Sequence, residues 1–518
     1  MSNPRELKTS PVFFDATERR WKWVRGAALL IGLGVGGLAA ALTLSLLKHP
    51  KLPTLRLPHF SHFVHPHPVL GGLAQNPASS VESDPAEALE RTAVGSSSSI
   101  ASNTRSEAIG FYVNWDDNSF SSLKAHLSSL DKLMPEWLHL EPGGDVQVDD
   151  PLKQARALDF VRTNKPTLKV MALINNYDGK LGDWNPKMLA EVLSSAASRT
   201  HLIDSLLEFV RDPNRDGNPS DGLQGVNIDF ETVPTSSQSD LERFMTQLYA
   251  RFHPLGLEVS ESVPLDDDQF DYKKLSSSAD YLVLMGYDEH ETSSVSGPVA
   301  SQGWLSSNLG ERLAQLPPNK VVLALGNYGY DWTVGKKGAD EVAFQDAQTT
   351  AKESEGVIGL DKASLNPHFD YFDDANVLHH VWYLDAASLF DELRSSQNLN
   401  LRGVALWRLG QEDPSSWSVL DARGHLNSDV AQSLEKVHYG YDLDYRGQGE
   451  ILKVTSRPIN GSRTLGFDTA RGLIVSEKLA QYASPYVLTR WGATKDKRIA
   501  LTFDDGPDPT YTRPFWTF

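Results

Sequence analysis

"GVNIDFETV", residues 225–233, is the stretch on which the reading of this chain turns. As a β-strand it sorts by parity. Val226, Ile228 and Phe230 point to one side; Asn227, Asp229 and Glu231 point to the other. A half-buried surface strand shows the same alternation, so the stretch acquires meaning only from the chain around it.

Seven other short apolar runs surround it: "AIGFYVNW" (108–115), "EWLHLEP" (136–142), "LKVMALINN" (168–176), "LEVSESVP" (257–264), "YLVLMGYD" (281–288), "KVVLALGNYGY" (320–330) and "LRGVALWRLG" (401–410). Amphipathic segments lie between most of them. One is "SQSDLERFMTQLYARFH", whose Ser237 and Asp240 suit a helix cap and first turn. Eight strands alternating with helices predict an α/β fold, a (β/α)8 TIM barrel. The seventh and eighth strands are too far apart for one helix, which predicts an α+β insertion between them, ending near "HHVWYLDAASLFDEL".

In a barrel, outward strand faces pack on helices and inward faces are usually branched aliphatic. Val226, Ile228 and Phe230 suit the outward face. Asn227, Asp229 and Glu231 then point inward, where unpaired charge is costly. Glu231 falls at the strand's C-terminal end, where barrel active sites lie. Carboxylates at i and i+2 are roughly 7 Å apart, close enough for one to raise the other's pKa and leave a Glu protonated near neutral pH.

The 518 residues allow two or three domains. Lys and Arg number 49 against 67 Asp and Glu, a net charge of -18, which argues against a nucleic-acid partner. The absence of cysteine excludes disulfides and Cys-ligated zinc. Residues 26–47, "GAALLIGLGVGGLAAALTLSLL", are uncharged and long enough for a bilayer core, with Arg19, Arg20, Lys22 and Arg25 before them and Trp21 and Trp23 at the interface. They predict one transmembrane helix preceding the barrel, a cytoplasmic tail over 1–25 and a single-pass protein in the cell membrane with its bulk extracytoplasmic. A cleaved signal peptide would have a shorter apolar run and an A-x-A site. Residues 48–105, rich in Pro, Ser, His and Ala, read as a disordered linker.

Three of the runs carry a resemblance. "GVNIDFE" is similar to the fourth-strand motif of glycoside hydrolase family 18, written D-G-x-D-x-D-x-E. "LMGYDEH" resembles its sixth-strand Met-x-Tyr-Asp motif, and "GVALWRLGQED" its eighth strand, which ends in a Trp beneath the sugar. The Asn variant and "LWRLG" resemble the spore-germination and peptidoglycan-hydrolase branch. The resemblance spans about 108–435 within a barrel domain of 106–435.

It implies substrate-assisted retaining hydrolysis of β-linked N-acetylglucosamine polymers, chitin- or peptidoglycan-like, with no cofactor. Glu231 would be the acid and then the base. Asp229 would orient the acetamido group and stabilise the oxazolinium ion. Tyr287 would bond the acetamido oxygen. Trp407 would floor the sugar ring, with Gly403 and Ala405 leaving room. Asn227, Met285, Asp288 and Tyr112 would support the site or bind substrate. The chain departs from the motif at Gln224 and Asn227. Asn227 can hydrogen-bond Asp229 but cannot take its proton. The alternative is a non-catalytic barrel that binds the polymer and presents it to a deacetylase or synthase.

"DPNRDGNPSDG" (212–222) is similar to a calcium loop, but its twelfth position is Leu223, so it reads as a turn-rich loop. "KRIALTFDDGPDPTYT" (497–512) resembles the opening motif of the polysaccharide deacetylase family. That resemblance implies a base at Asp504 and a metal ligand at Asp505, in a truncated start of such a domain over 495–518 with no deacetylase activity expected. Residues 436–494 read as a connecting segment.

Overall fold

The computed structural model of the protein describes residues 106–218 and 221–492. Eight parallel strands run in chain order: β1 (Glu107–Val113), β2 (Lys132–Leu140), β3 (Lys169–Asn175), β4 (Gly225–Asp229), β5 (Glu258–Pro264), β6 (Tyr281–Met285), β7 (Val321–Gly326) and β8 (Gly403–Trp407). Each pairs with the next, and β1 pairs with both β2 and β8, so the sheet closes into the expected barrel. Gly225 opens β4 because a side chain there would meet the Glu258 carbonyl oxygen of β5 at 2.0 Å.

The parity of β4 divides the core into two layers. Val226, Ile228 and Phe230 join the outer layer between strands and helices. There Phe230 lies 5.8 Å from Phe244 of helix Gln238–Phe252, between ring centres. Each large side chain fully buried in this way contributes about 1.5–3 kcal/mol. That helix begins after Ser237, whose side chain makes no capping bond, and carries Asp240 in its first turn. The inner layer contains Ile109, Phe111, Met134, Met171, Leu173, Val283, Ala324 and Ala405.

At the N-terminal end of the barrel the interior is closed by a buried cation. Lys132 Nζ donates to Glu258 at 2.7 Å, Glu107 at 3.2 Å and the Tyr281 hydroxyl at 2.8 Å. Its charge is therefore fully paired, which a buried ammonium requires. Lys169 and Arg402 also reach Glu258 here, so the charges at the bottom of the barrel are paired.

Between β7 and β8 lies a five-stranded antiparallel sheet ordered 339–343, 328–333, 378–383, 367–372 and 359–360, with a helix at Phe344–Glu353. This is the α+β insertion. The stretch expected to be a connecting segment carries six strands between Lys436 and Trp491, in two three-stranded sheets. One of them is packed onto the barrel. Arg463, on strand Gly461–Asp468, reaches Asp385 at 2.6 Å, Asp413 at 3.0 Å and Glu477 at 3.1 Å, all fully buried. Phe467 meets Phe390 of helix Ala386–Ser396.

The expected single-pass location in the cell membrane is corrected. Among the described residues no helix is long and apolar enough to cross a membrane. The stretch 26–47 on which that expectation rested lies outside the described residues, as do 1–25, 48–105 and the deacetylase-like stretch 495–518 with Asp504 and Asp505.

One buried acid belongs to the scaffold alone. Glu261 on β5 has the parity of Val259 and Val263, both in the outer layer. It is 2% exposed and its Oε2 has no partner. Burial pushes its carboxyl up to about 8. The folded state therefore holds a proton that the unfolded chain releases near pH 4.3. Its contribution to stability is complete below that pH and is lost as pH rises towards 8, at most about 1.4 kcal/mol per pH unit. Urea unfolding of Glu261→Gln between pH 5 and pH 8 should lose less stability than the wild type; equal slopes would show that Glu261 is not the buried acid described here.

Candidate active site

The site forms where β4 ends. Asn227 and Asp229 face into the barrel, 0% and 5% exposed. Asn227 sits level with Leu173 of β3 and Ser260 of β5; Asp229 sits level with Asn175. The Asn227 amide donates to Ser260 Oγ at 2.9 Å and accepts from Ser262 Oγ at 2.9 Å. Among the described residues those are its side-chain partners, so the bond expected from Asn227 to Asp229 is absent. The reason is register: β5 presents two hydroxyls on the face that Asn227 enters.

Glu231 lies just beyond the strand and is only partly exposed. Its backbone is clamped by Asn176, at the end of β3. Asn176 Oδ1 accepts from the Glu231 N–H at 2.8 Å, and Asn176 Nδ2 donates to the Glu231 carbonyl at 3.1 Å. This two-point bond holds the residue after it leaves the ladder. Thr232, next in the chain, has a positive φ of 50°, which turns the chain away at once.

Loss of hydration, joined by the charges of Asp229 and Asp288, raises the Glu231 carboxyl well above the usual carboxylate range. Asp229 is pushed up to about 8 by burial and by the charge of Glu136. Glu136, on β2, is pushed up to about 8 by burial, against a 2.7 Å hydrogen bond from Asn175 Nδ2. A carboxyl that holds its proton near neutral pH, beside a second one, can act as a general acid.

Tyr287 follows β6 and belongs to the inner layer, with Met285 packed against it. Burial holds the Tyr287 phenol well above 10, so its hydroxyl is a neutral donor. Asp288 turns out of the strand with φ 66° and accepts from the Tyr328 hydroxyl and, at 2.8 Å, from the Tyr330 hydroxyl. Both tyrosines come from the first strand of the insertion, which thereby forms one wall. Trp407 ends β8 and meets Phe111 edge-on, 5.2 Å between centroids.

The structure thus brings together Asn227, Asp229, Glu231, Met285, Tyr287, Asp288 and Trp407. It does not bring Tyr112 with them. Tyr112 shares the outward parity of Ala108 and lies in the outer layer, while Phe111 points inward. Four groups escaped sequence reading: Glu136, Asn175, Asn176 and the Ser260/Ser262 pair. The asparagines were visible as two polar residues ending an otherwise apolar run. The apolar run 136–142 begins at Glu136, whereas the strand begins at Lys132, so the inward parity that Glu136 shares with Met134 lay outside the run.

Comparison with known proteins agrees with this geometry. The model of "Glycosyl hydrolases family 18" matches residues 107–412. The uncharacterized glycosylase YvbX of Bacillus subtilis (strain 168) is 25% identical over 319 residues, 60% of this chain and 89% of that protein. The cortical fragment-lytic enzyme of the same organism is 26% identical over 286 residues, 53% of this chain but only 63% of that enzyme. Among solved structures, a chitinase from Chromobacterium violaceum ATCC 12472 superposes with a TM-score of 0.55 at 23% identity, covering 61% of this chain and 98% of that one. The Bacillus cereus spore cortex-lytic enzyme SleL gives 0.54 at 22%, covering 61% and 73%. At such identities the structural likeness speaks for the fold.

The Asn176 clamp is open to direct test. Asn176→Ala removes both partners of the Glu231 backbone and should cost about 1–3 kcal/mol. Urea unfolding at neutral pH reads the loss; a variant as stable as the wild type would show that the clamp carries no energy.

Proposed function

The chain belongs to glycosyl hydrolases family 18, and on that premise we propose that its barrel hydrolyses β-linked N-acetylglucosamine polymers, of the chitin or peptidoglycan type, with retention and with the help of the substrate's own acetamido group. The observation that carries the proposal is Glu231: its backbone is fixed by Asn176 just past the end of β4, with inward Asp229 behind it, and its carboxyl is raised well above the usual range.

In this reading Glu231 protonates the glycosidic oxygen as the C1–O bond breaks. The acetamido oxygen attacks C1 and closes an oxazolinium ion. Asp229, once ionised, faces the positive charge that develops there. The Tyr287 hydroxyl donates to the acetamido oxygen and orients it for attack. Trp407, packed on Phe111, offers an apolar floor to the sugar ring. Glu231, now a carboxylate, takes a proton from water as water opens the ring, which regenerates the acid. Asn227, Met285 and Asp288 shape the pocket without exchanging protons.

A second reading is favoured by one observation. Asn227 stands where the motif has an acid, and its amide is engaged with Ser260 and Ser262. A barrel that binds the polymer and presents it to another enzyme needs no proton exchange at that position. The retained Glu231 supports hydrolysis instead, because binding alone requires no acid. The deacetylase-like stretch lies outside the described residues and takes no part in either reading.

The test uses the full chain with chitooligosaccharides and peptidoglycan, products being read by mass. Wild type should release shortened sugars. Glu231→Gln should lose roughly 10²–10⁴-fold in turnover, the usual worth of general acid catalysis, while still binding the polymer. Binding without any cleavage by the wild type would favour the second reading.

A further inference from the structure

We propose that Glu136 is a positioning residue for this hydrolysis: it shares one proton with Asp229, taking from β2 the part that Asn227 on β4 cannot take. The proposal rests on the family 18 reading of the site, and four observations support it.

The first is chemical. An amide neither accepts nor releases a proton near neutral pH, and the Asn227 amide is already engaged with two serines. Asp229 therefore has no proton-exchanging neighbour on its own strand except Glu231.

The second is geometric. Glu136 has the inward parity of Met134 and pairs with Leu173, while beyond the bulge Leu138 pairs with Ile174 and joins the outer layer. Glu136 is 6% exposed. It stands one strand beyond β3 from Asp229, close enough for its charge to oppose ionisation of Asp229.

The third is its fixing. Asn175 Nδ2 donates to Glu136 Oε1 at 2.7 Å, and Asn175 Oδ1 faces His139 Nδ1 at 2.8 Å. Among the described residues Asn175 is the one side chain that hydrogen-bonds this carboxyl. A carboxyl anchored through one oxygen keeps the other to carry a proton.

The fourth is the surrounding charge. Arg408, after β8, favours the anion of Glu136; Asp149, beyond the Val146–Val148 strand, and Glu341, in the insertion, oppose it. Glu231 and Asp288 lie on the far side, and the Tyr287 phenol faces both Asp229 and Glu231. One guanidinium among so many acids does not let Glu136 and Asp229 both ionise in a desolvated interior. The pair therefore keeps at least one proton. When it sits on Glu136, Asp229 is the anion that the oxazolinium requires; when it returns, Asp229 is neutral in the resting site. Asn175, level with Asp229 and hydrogen-bonded to Glu136, stands between the two carboxyls, which titrate as a pair.

The experiment compares full-length wild type, Glu136→Gln and Glu136→Asp. Two quantities are measured: titration of the side-chain carboxyl carbons by NMR without substrate, and the pH dependence of kcat/KM on a chitooligosaccharide. Glu136→Gln removes the opposing charge, so Asp229 should ionise about one pH unit lower or more. The acid limb of kcat/KM should move with it. Glu136→Asp keeps a charge and should leave the limb near that of the wild type. A Glu136→Gln protein with Asp229 titrating as in the wild type overturns the proposal, as does a fall in rate with no movement of the limb. Should Glu136→Gln fail to fold, the wild-type titration decides: two coupled steps for the pair support the proposal, two independent steps overturn it. Absence of turnover in the wild type would sink the hydrolytic reading, whereas the titration judges Glu136 by itself.

Discussion

Glu136, Asp229 and Glu231 are crowded into the desolvated mouth of one barrel, and they cannot all be charged. Much of the remaining architecture follows from that constraint. Protons must be retained near neutral pH, so at least one carboxyl is an acid where free carboxyls would be bases. The carboxyls must also be held apart from casual partners that would quench them. Asn176 does this for Glu231 by bonding its backbone and leaving its side chain free. Ser260 and Ser262 turn the Asn227 amide towards β5, away from Asp229. The same strands treat charge oppositely at their two ends. Lys132 is surrounded by Glu107, Glu258 and Tyr281 at the N-terminal end, which secures the scaffold, while the acids at the C-terminal end are left in excess, which makes chemistry available.

The insertion and the C-terminal strands extend this division. Tyr328 and Tyr330 leave the barrel at the end of β7 and return their hydroxyls to Asp288, so the insertion forms part of the wall beside Tyr287. The strands after Lys436 act elsewhere. Arg463 gathers Asp385, Asp413 and Glu477 into a buried cluster and ties them to the helix before β8. Removing that arginine would strand three carboxyls in the interior, an outcome that costs several kcal/mol for even one unpaired buried ion.

How much of this could be read in advance depended on whether local pattern and tertiary contact agreed. They agreed on β4: Val226, Ile228 and Phe230 joined the outer layer and Asn227 and Asp229 turned inward. They agreed on the eight strands and on the insertion. They parted at β1, where the family resemblance put Tyr112 in the site, although its parity matches outward Ala108 and the inward ring is Phe111. They parted again at β2, where the apolar run begins at Glu136 but the strand begins at Lys132, so the inward parity of Met134 and Glu136 was not visible. Asn227 is able to bond Asp229 along its own strand, but the serines of β5 take its amide from the neighbouring one, and sequence alone carries no register. The strands after Lys436 escaped because their burial depends on long-range partners, Arg463 with Asp385 being 78 residues apart. The apolar stretch 26–47, which fits the length rule for a membrane span, lies outside the described residues, among which no helix is long and apolar enough to cross a membrane.

The central claim is that the acid at Glu231 works with the substrate's own acetamido group, and the stereochemistry of the product tests it most directly. Proton NMR recorded within the first minutes of digestion of a β-linked chitooligosaccharide reads the anomeric configuration before mutarotation. An oxazolinium intermediate is formed and opened on opposite faces of the sugar, so the account predicts that the new reducing end appears first as the β-anomer. A first-formed α-anomer would mean direct displacement by water, and would contradict the assignment of Asp229, Glu231 and Tyr287 to a substrate-assisted reaction.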